Sequence, residues 1–378
     1  MKKYVAGILI VVVIVVASLA LQKPTDDVIK IGFIGPLSGG SPVEWGQGSL
    51  NMIQMAADEI NAEGGLGGRK LLIVPEDGKC QSQPSVAAAQ KLVSADSVKF
   101  ILGGHCSVET SAIAPILEEN SVFGLAGVTT ATGILNKYSY VFRTSPPNDE
   151  QGRLIAKVAI EKYNATKAGV IVAKTTFTQS IADEFIMAFE KMGGKVVAIE
   201  SLASETTDFR TSLIKIKSLD PDVIFISTQG NEGLNSLRQV EELGINMTVI
   251  GPTTLIQKKF YDELGGRFPE KAFTVATYVD SGTGKASVLV GKYRSRYGTD
   301  VPYNMFFVGA SYDGMYMLKD ALEACGEDPG CVRDYFFNIK EWEGSVATFS
   351  FEKTGDPIIN NWRELVIENG EEVFREIM

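Results

Sequence analysis

Short apolar runs alternate with longer amphipathic ones along most of this chain. The first run, "VIKIGFIGPLSGG" (28–40), ends in Gly-Pro and Gly-Gly and predicts a buried strand followed by a loop. Leu50, Ile53, Ala57 and Ile60 then recur at helical spacing. The glycines of "EGGLGG" stop that helix and turn the chain into the strand "KLLIV". The alternation repeats: "SVAAAQKLVS" predicts a helix, "VKFILGG" a strand, "SAIAPILEEN" a helix and "SVFGLAG" a strand. After Arg143, "TSPPNDEQG" reads as a Pro-Pro loop with a polar cap, and a second cycle follows. Its strands are "AGVIVA", "KVVAIESL", "PDVIFISTQG" and "MTVIGP". Its helices are "RLIAKVAIEKY", "SIADEFIMAFEKMGG", "DFRTSLIKIKSL" and "NEGLNSLRQVEELGI". Beyond Phe273 come a strand "AFTVATYV", a helix around "VLVGKYRSRYG" and a long helix from about Tyr303 to Ala324. The chain closes on hairpin-like strands in "SVATFSF" and "NNWRELVIENGEE".

Short apolar strands between amphipathic helices predict an α/β protein whose mainly parallel sheets are covered on both faces. Two such runs separated by a Pro-rich crossing predict two doubly wound units. The length of 378 residues also exceeds one ordinary core. Composition fits a globular chain, with 45% hydrophobic and 22% charged residues. The formal charge of −10 argues against nucleic acid as a partner, because an acidic surface repels phosphate backbones.

The N-terminus predicts export. Lys2 and Lys3 precede an uncharged apolar stretch over residues 4–21, and Ser18-Leu19-Ala20 supplies small residues for signal cleavage. The stretch also approaches the ~20 residues that span a bilayer, so residues 1–24 read as a signal peptide or an N-terminal membrane anchor. Either way the bulk of the chain is expected outside the cytoplasm, periplasmic or at the cell surface. The four cysteines, Cys80, Cys106, Cys325 and Cys331, allow three connectivities. A local Cys325–Cys331 bridge around the turn-rich "GEDPG" is the simplest, and it leaves Cys80 with Cys106. A metal site is disfavoured, since there is no CxxC spacing and only one histidine. "NAT" at Asn164 and "NMT" at Asn246 match the glycosylation acceptor pattern, which is short enough to recur by chance.

The candidate chemistry centres on "GGHCSVETSAIAP" (103–115). No GxGxxG and no GK[ST] loop occurs, so no nucleotide cofactor is expected. A hydrolase built on Ser107 would draw its base from His105, two residues away on the same turn, and no GxSxG elbow is present. A binding site fits better. The strand ends at Gly104 and the helix starts near Ser107, read as its N-cap, so free N–H groups face outward beyond a parallel strand. "AGVTTATG" (126–133) follows the next strand in the same way and adds Thr129 and Thr130. Trp45 lies in the polar, Gly/Pro-rich stretch "GGSPVEWGQG", read as a loop. There it is either a packed anchor or a wall of a cleft.

Taken in order, "IGFIGPLSGG…WGQG", "AADEINAEGGLGGRKLLIVPEDGKCQSQPSVAAAQKLV", "ILGGHCS", "GVTTATGIL", "FRTSPPNDEQG", "SETTDFRTSLIKIKSLDPDVIFI" and "ASYDGMYMLKDALEACG" carry a resemblance. From about Val28 onward the chain resembles the periplasmic leucine/isoleucine/valine-binding protein family, the type I solute-binding proteins of ABC transporters. The resemblance implies two lobes joined by a three-crossing hinge that close on a ligand. Lobe 1 would comprise 25–146 plus 277–346, and lobe 2 147–276 plus 347–378. It implies a Cys80–Cys106 bridge. It implies ligand contacts at Trp45, Ser107, Gly127, Thr129, Phe177, Gln229 and Thr253, with a membrane permease as partner and no cofactor. The family acid that pairs with a ligand ammonium falls on Thr253, which carries no charge. Either Glu232 or Glu44 takes that role, or the ligand has no α-ammonium. The expected function is delivery of a small amino acid of branched-chain type, or a related carboxylate or amide, to an import permease. An exported sensing ectodomain or co-receptor is the alternative.

Overall fold

The computed structural model describes residues 28–40, 42–302 and 304–377. The expected signal or anchor stretch lies outside the described residues. Among those that are described, no helix is long and apolar enough to cross a membrane.

Five strands, β1 (Val28–Gly35), β2 (Lys70–Asp77), β3 (Phe100–Gly103), β4 (Phe123–Ala126) and β5 (Val141–Arg143), form a parallel sheet in the order β2-β1-β3-β4-β5. The next five are β6 (Lys167–Ala173), β7 (Lys195–Leu202), β8 (Val223–Ser227), β9 (Thr248–Ile250) and β10 (Ala272–Thr277). They pair in parallel in the order β7-β6-β8-β9-β10, which repeats the first arrangement strand for strand. After a small ladder of β11 (Trp342–Glu343) with β12 (Thr348–Phe349), the chain adds two antiparallel strands beyond β10. These are β13 (Trp362–Glu368) and β14 (Glu371–Arg375). Every residue of β3, β4, β8 and β10 is buried, as expected of strands covered by helices on both faces.

The first sheet finds part of its cover far along the chain. Phe123 and Phe142 meet Phe336 with ring centroids 4.6 and 5.4 Å apart, and helix Met305–Cys325 packs on helix Val43–Ala62. The third crossing differs from the expected 346/347 boundary. Phe349, Phe351 and Ile359 pack into the first core, with Phe351 edge-on to Phe142 at 5.7 Å, and the chain joins the second sheet only at Trp362. The apolar alternation in "TFSF" suits either sheet, so the sequence alone could not place this crossing.

One further expectation changes, and another is met and extended. The stretch around Trp45 is the first turn of helix Val43–Ala62 and not a loop. Its glycines serve close approach: a Cβ on Gly46 would meet the Pro36 carbonyl oxygen at 2.0 Å, and one on Gly48 would meet Pro302 at 2.6 Å. The "GEDPG" segment also starts a helix, Pro329–Phe337. Asp328 caps it, accepting from the amides of Gly330 (2.8 Å) and Cys331 (3.2 Å), and Pro329 occupies the position where a missing N–H does no harm. Both bridges expected from the cysteine count are present, Cys80–Cys106 and Cys325–Cys331.

Candidate ligand-binding site

In each parallel sheet the strand order reverses beside the first strand, between β1 and β3 and between β6 and β8. Loops leaving the carboxyl ends of strands at such a switch point form a crevice. Here the two crevices face each other across one cavity of about 290 Å³. Most of its lining follows parallel strands, and Gln151 and Phe307 join it from helices Asn148–Glu161 and Met305–Cys325. The first half contributes Trp45 after β1, Cys106, Ser107 and Val108 after β3, and Val128 and Thr130 after β4. The second half contributes Lys174 to Phe177 after β6, Ser204 after β7, Gln229 after β8, and Thr253 and Thr254 after β9. Five expected residues, Trp45, Ser107, Phe177, Gln229 and Thr253, therefore meet around one space. A larger cavity of about 630 Å³ shares Trp45 and Thr253 with it, but its other walls include the charged chains Glu44, Lys258, Lys259, Asp262 and Asp300.

Three helices point their N-termini this way: Ser107–Glu119, Thr176–Lys191 and Asn231–Glu242. The N-cap of the first is Cys106, not Ser107 as expected. Glu109 explains the shift. Its carboxyl accepts from the Cys106 amide (3.0 Å) and from the Cys80 amide (2.9 Å), so one side chain ties the helix start to both halves of the disulfide. Burial pushes the Glu109 pKa up to about 7, against the pull of these amides. A Cys at the cap conceals the usual S/T-x-x-E signature, so the sequence reading passed over Glu109. Ser107 takes the first helical position, and its Oγ accepts from the amides of Ala131 (3.1 Å) and Thr130 (3.4 Å).

Gly127 and Thr129 lie behind the wall and do not line the cavity. The Thr129 hydroxyl donates to the Gly104 carbonyl at 2.6 Å and meets the Thr110 hydroxyl, which turns it toward the framework. Gly127 sits where a Cβ would meet Ser311 Oγ at 2.9 Å and His105 Nε2 at 3.0 Å, so the loop needs glycine for its close approach. Along an extended loop neighbouring side chains face opposite ways, which is why Val128 and Thr130 reach the cavity and Thr129 does not.

His105 does not assemble a catalytic pair with Ser107. Its Nδ1 is 3.3 Å from the Ile34 carbonyl oxygen, and its Nε2 is buried without a partner. Burial pushes its pKa down to about 4, so the ring is neutral at ordinary pH. The two candidate acids are elsewhere too. Glu44 is paired with Lys259 at 2.9 Å, a contact from the first half to the second. Glu232 accepts from the Glu205 amide, its other oxygen is buried without a partner, and burial raises its pKa. Thr130, expected beside Thr129, does line the cavity, while Lys174, Thr175 and Thr176 carry no sequence signal beyond their position just after a buried strand.

The wall is braced by a buried pair. Arg143 is fully buried; its Nε donates to Asp356 at 2.6 Å and its Nη1 to the carbonyls of Ala131 (2.9 Å) and Thr129 (3.3 Å). The halves also touch directly: the Asn148 amide donates to the Thr130 carbonyl at 2.7 Å, and the Thr132 amide to Ser180 Oγ at 2.9 Å.

A model of the periplasmic binding protein family matches residues 28–368. The Leu/Ile/Val-binding protein BraC3 of Rhizobium johnstonii is 28% identical over 349 residues, covering 90% of this chain and 92% of that protein. The leucine-binding protein LivK of Thermotoga maritima superposes with a TM-score of 0.84 at 24% identity, covering 92% of this chain and 98% of that one. An ABC-transporter solute-binding protein of Rhodopseudomonas palustris, solved with p-hydroxybenzoic acid, superposes with a TM-score of 0.83 at 23% identity, covering 93% and 96%. These two superpositions establish a shared fold.

Proposed function

The chain belongs to the periplasmic binding protein family, and from that premise we propose that it captures a small solute between its two sheets and delivers it to an ABC import permease. The ligand is a small amino acid of branched-chain type, or a related small carboxylate or amide. The observation that carries this reading is the cavity at the strand ends of both sheets, lined from both halves. A ligand seated there touches both sheets at once, so it favours the arrangement in which they approach. That shift is limited by its differential affinity for the closed and open forms.

In this reading the amides at the start of helix Ser107–Glu119 hold the ligand's carboxylate or carbonyl. Trp45 and Phe177 flank its apolar body, and Gln229 and Thr253 meet it from the second half. Gly127 and Thr129 act from behind, by setting the loop that presents Val128 and Thr130. The reading involves no catalytic step, and it is supported by the ring of His105, which faces the Ile34 carbonyl and makes no hydrogen bond to Ser107. The protein works outside the cytoplasm, with residues 4–21 as export signal or tether.

A thermal-shift screen of the full chain against amino acids, amides, urea and small carboxylates tests the reading. A ligand at 100 times its Kd adds about 2.7 kcal/mol to native-state stability and raises the midpoint accordingly. A panel in which no compound moves the midpoint sinks it.

A further inference from the structure

The charges around the cavity are uneven. Among the described residues, no Asp or Glu lines it, while Lys174 does. Lys174 is exposed, follows the last residue of β6, and its ammonium is held by no ion pair or side-chain hydrogen bond among the described residues. The N-termini of helices Ser107–Glu119 and Thr176–Lys191 add partial positive charge from opposite sides. The nearby acids do not reach the lining: Glu109 serves the amides of Cys80 and Cys106, Glu44 is paired with Lys259, and Glu232, with one oxygen on the Glu205 amide and the other buried without a partner, is not a wall residue. Apolar surface completes the lining, with Trp45, Val108, Val128, Phe177 and Phe307. An ammonium enclosed here would lose its water without gaining a counter-charge, which is strongly unfavourable. A carboxylate meets a cation and oriented amides.

We propose that the ligand is an organic carboxylate with an apolar body and no ammonium group, and that Lys174 is its counter-ion and the residue that sets this specificity. The inference rests on the solute-binding reading and narrows it. Thr253 adds a hydroxyl and no charge to the same lining. The carboxylate end lies between Lys174 and the two helix N-termini, and the hydrocarbon end lies against Trp45, Phe177 and Phe307.

Matched pairs of probes isolate the ammonium. Leucine is compared with 4-methylpentanoate, and phenylalanine with 3-phenylpropanoate, by titration calorimetry on the full chain. In each pair where binding is seen, the acid lacking the ammonium is expected to bind at least tenfold more tightly. The neutral 4-methylpentanamide is expected to bind at least tenfold more weakly than its carboxylate. K174M, at an exposed position, should narrow that carboxylate-to-amide preference about tenfold, and K174R should restore most of it. An amino acid that binds as tightly as its deaminated partner overturns the inference and leaves the solute-binding reading intact. An unchanged carboxylate-to-amide preference in K174M overturns the role of Lys174. Failure of all five probes, with no hit in the wider thermal-shift screen, overturns the solute-binding reading and this inference together.

Discussion

The two sheets share a strand order, yet their tips at the cavity are held by different means. Both tie a strand end to the following helix with a buried threonine: Thr110 donates to the Gly104 carbonyl and Thr178 to the Ala173 carbonyl, each at 2.5 Å. There the likeness ends. The first tip adds a disulfide, the Glu109 carboxyl bridging its two amides, and the Arg143–Asp356 pair under the loop. The second relies on hydroxyls, with Thr175 capping its helix, and it carries the exposed Lys174 and Thr176. A tip fixed by covalent and charged contacts loses little freedom when a ligand arrives. One with free side chains can adjust as the halves close. On the proposed reading, the first half serves as a seat and the second as a cover.

Substitutions at the seat should therefore matter most. Asp356→Ala strands a fully buried guanidinium, whose charge burial already disfavours, and should destabilise the protein by about 3–5 kcal/mol in urea unfolding. A loss below 1 kcal/mol would mean that Arg143 is served by carbonyls alone. Replacing Cys80 and Cys106 together by serine should remove about 3 kcal/mol in the same assay. The six-residue separation of Cys325 and Cys331 should make the matching double variant there the milder one.

The pH dependence sharpens the contrast, because the seat carries two groups with opposite slopes. Glu109 has a native pKa of about 7, raised above its unfolded value. The native state then holds the extra proton, so this contribution is full below about pH 4.5 and is lost as pH rises toward 7. His105 has a native pKa of about 4, below its unfolded value, so its contribution is full above about 6.5 and is lost as pH falls toward 4. Glu109→Gln should uncover the His105 slope, with stability climbing from pH 4 to 6.5. His105→Gln should uncover a fall from pH 4.5 to 7. Urea midpoints across that range read both, and flat profiles in both variants would refute the opposition. The smallest effect is expected at the rim. Glu44 and Lys259 are about half exposed, and Lys259→Ala should change stability by at most about 0.5 kcal/mol.

Most strands were legible because a parallel strand buried on both faces leaves an unbroken apolar run, as in "FILG" or "VIFIS". The switch-point position of Ser107 followed from the same pattern. What escaped the sequence had specific causes. Glycines in "WGQG" imitate a loop but serve packing against Pro36 and Pro302. The inward turn of Thr129 depends on the distant carbonyl of Gly104, and the cap at Cys106 depends on Glu109, whose partners include Cys80 across 29 residues. Lys174 was an ordinary polar residue until its neighbours were known.

The late return of the chain to the first core has a consequence for biosynthesis. The sheet β1–β5 is complete by Arg143, but helix Met305–Cys325 and Phe336, which shield one of its faces, are made more than 160 residues later. At about 5–20 residues per second, the part of that face not covered by helix Val43–Ala62 waits roughly 10–40 s on a growing chain. The first core can therefore close fully only after Phe336 has been made, close to the end of translation.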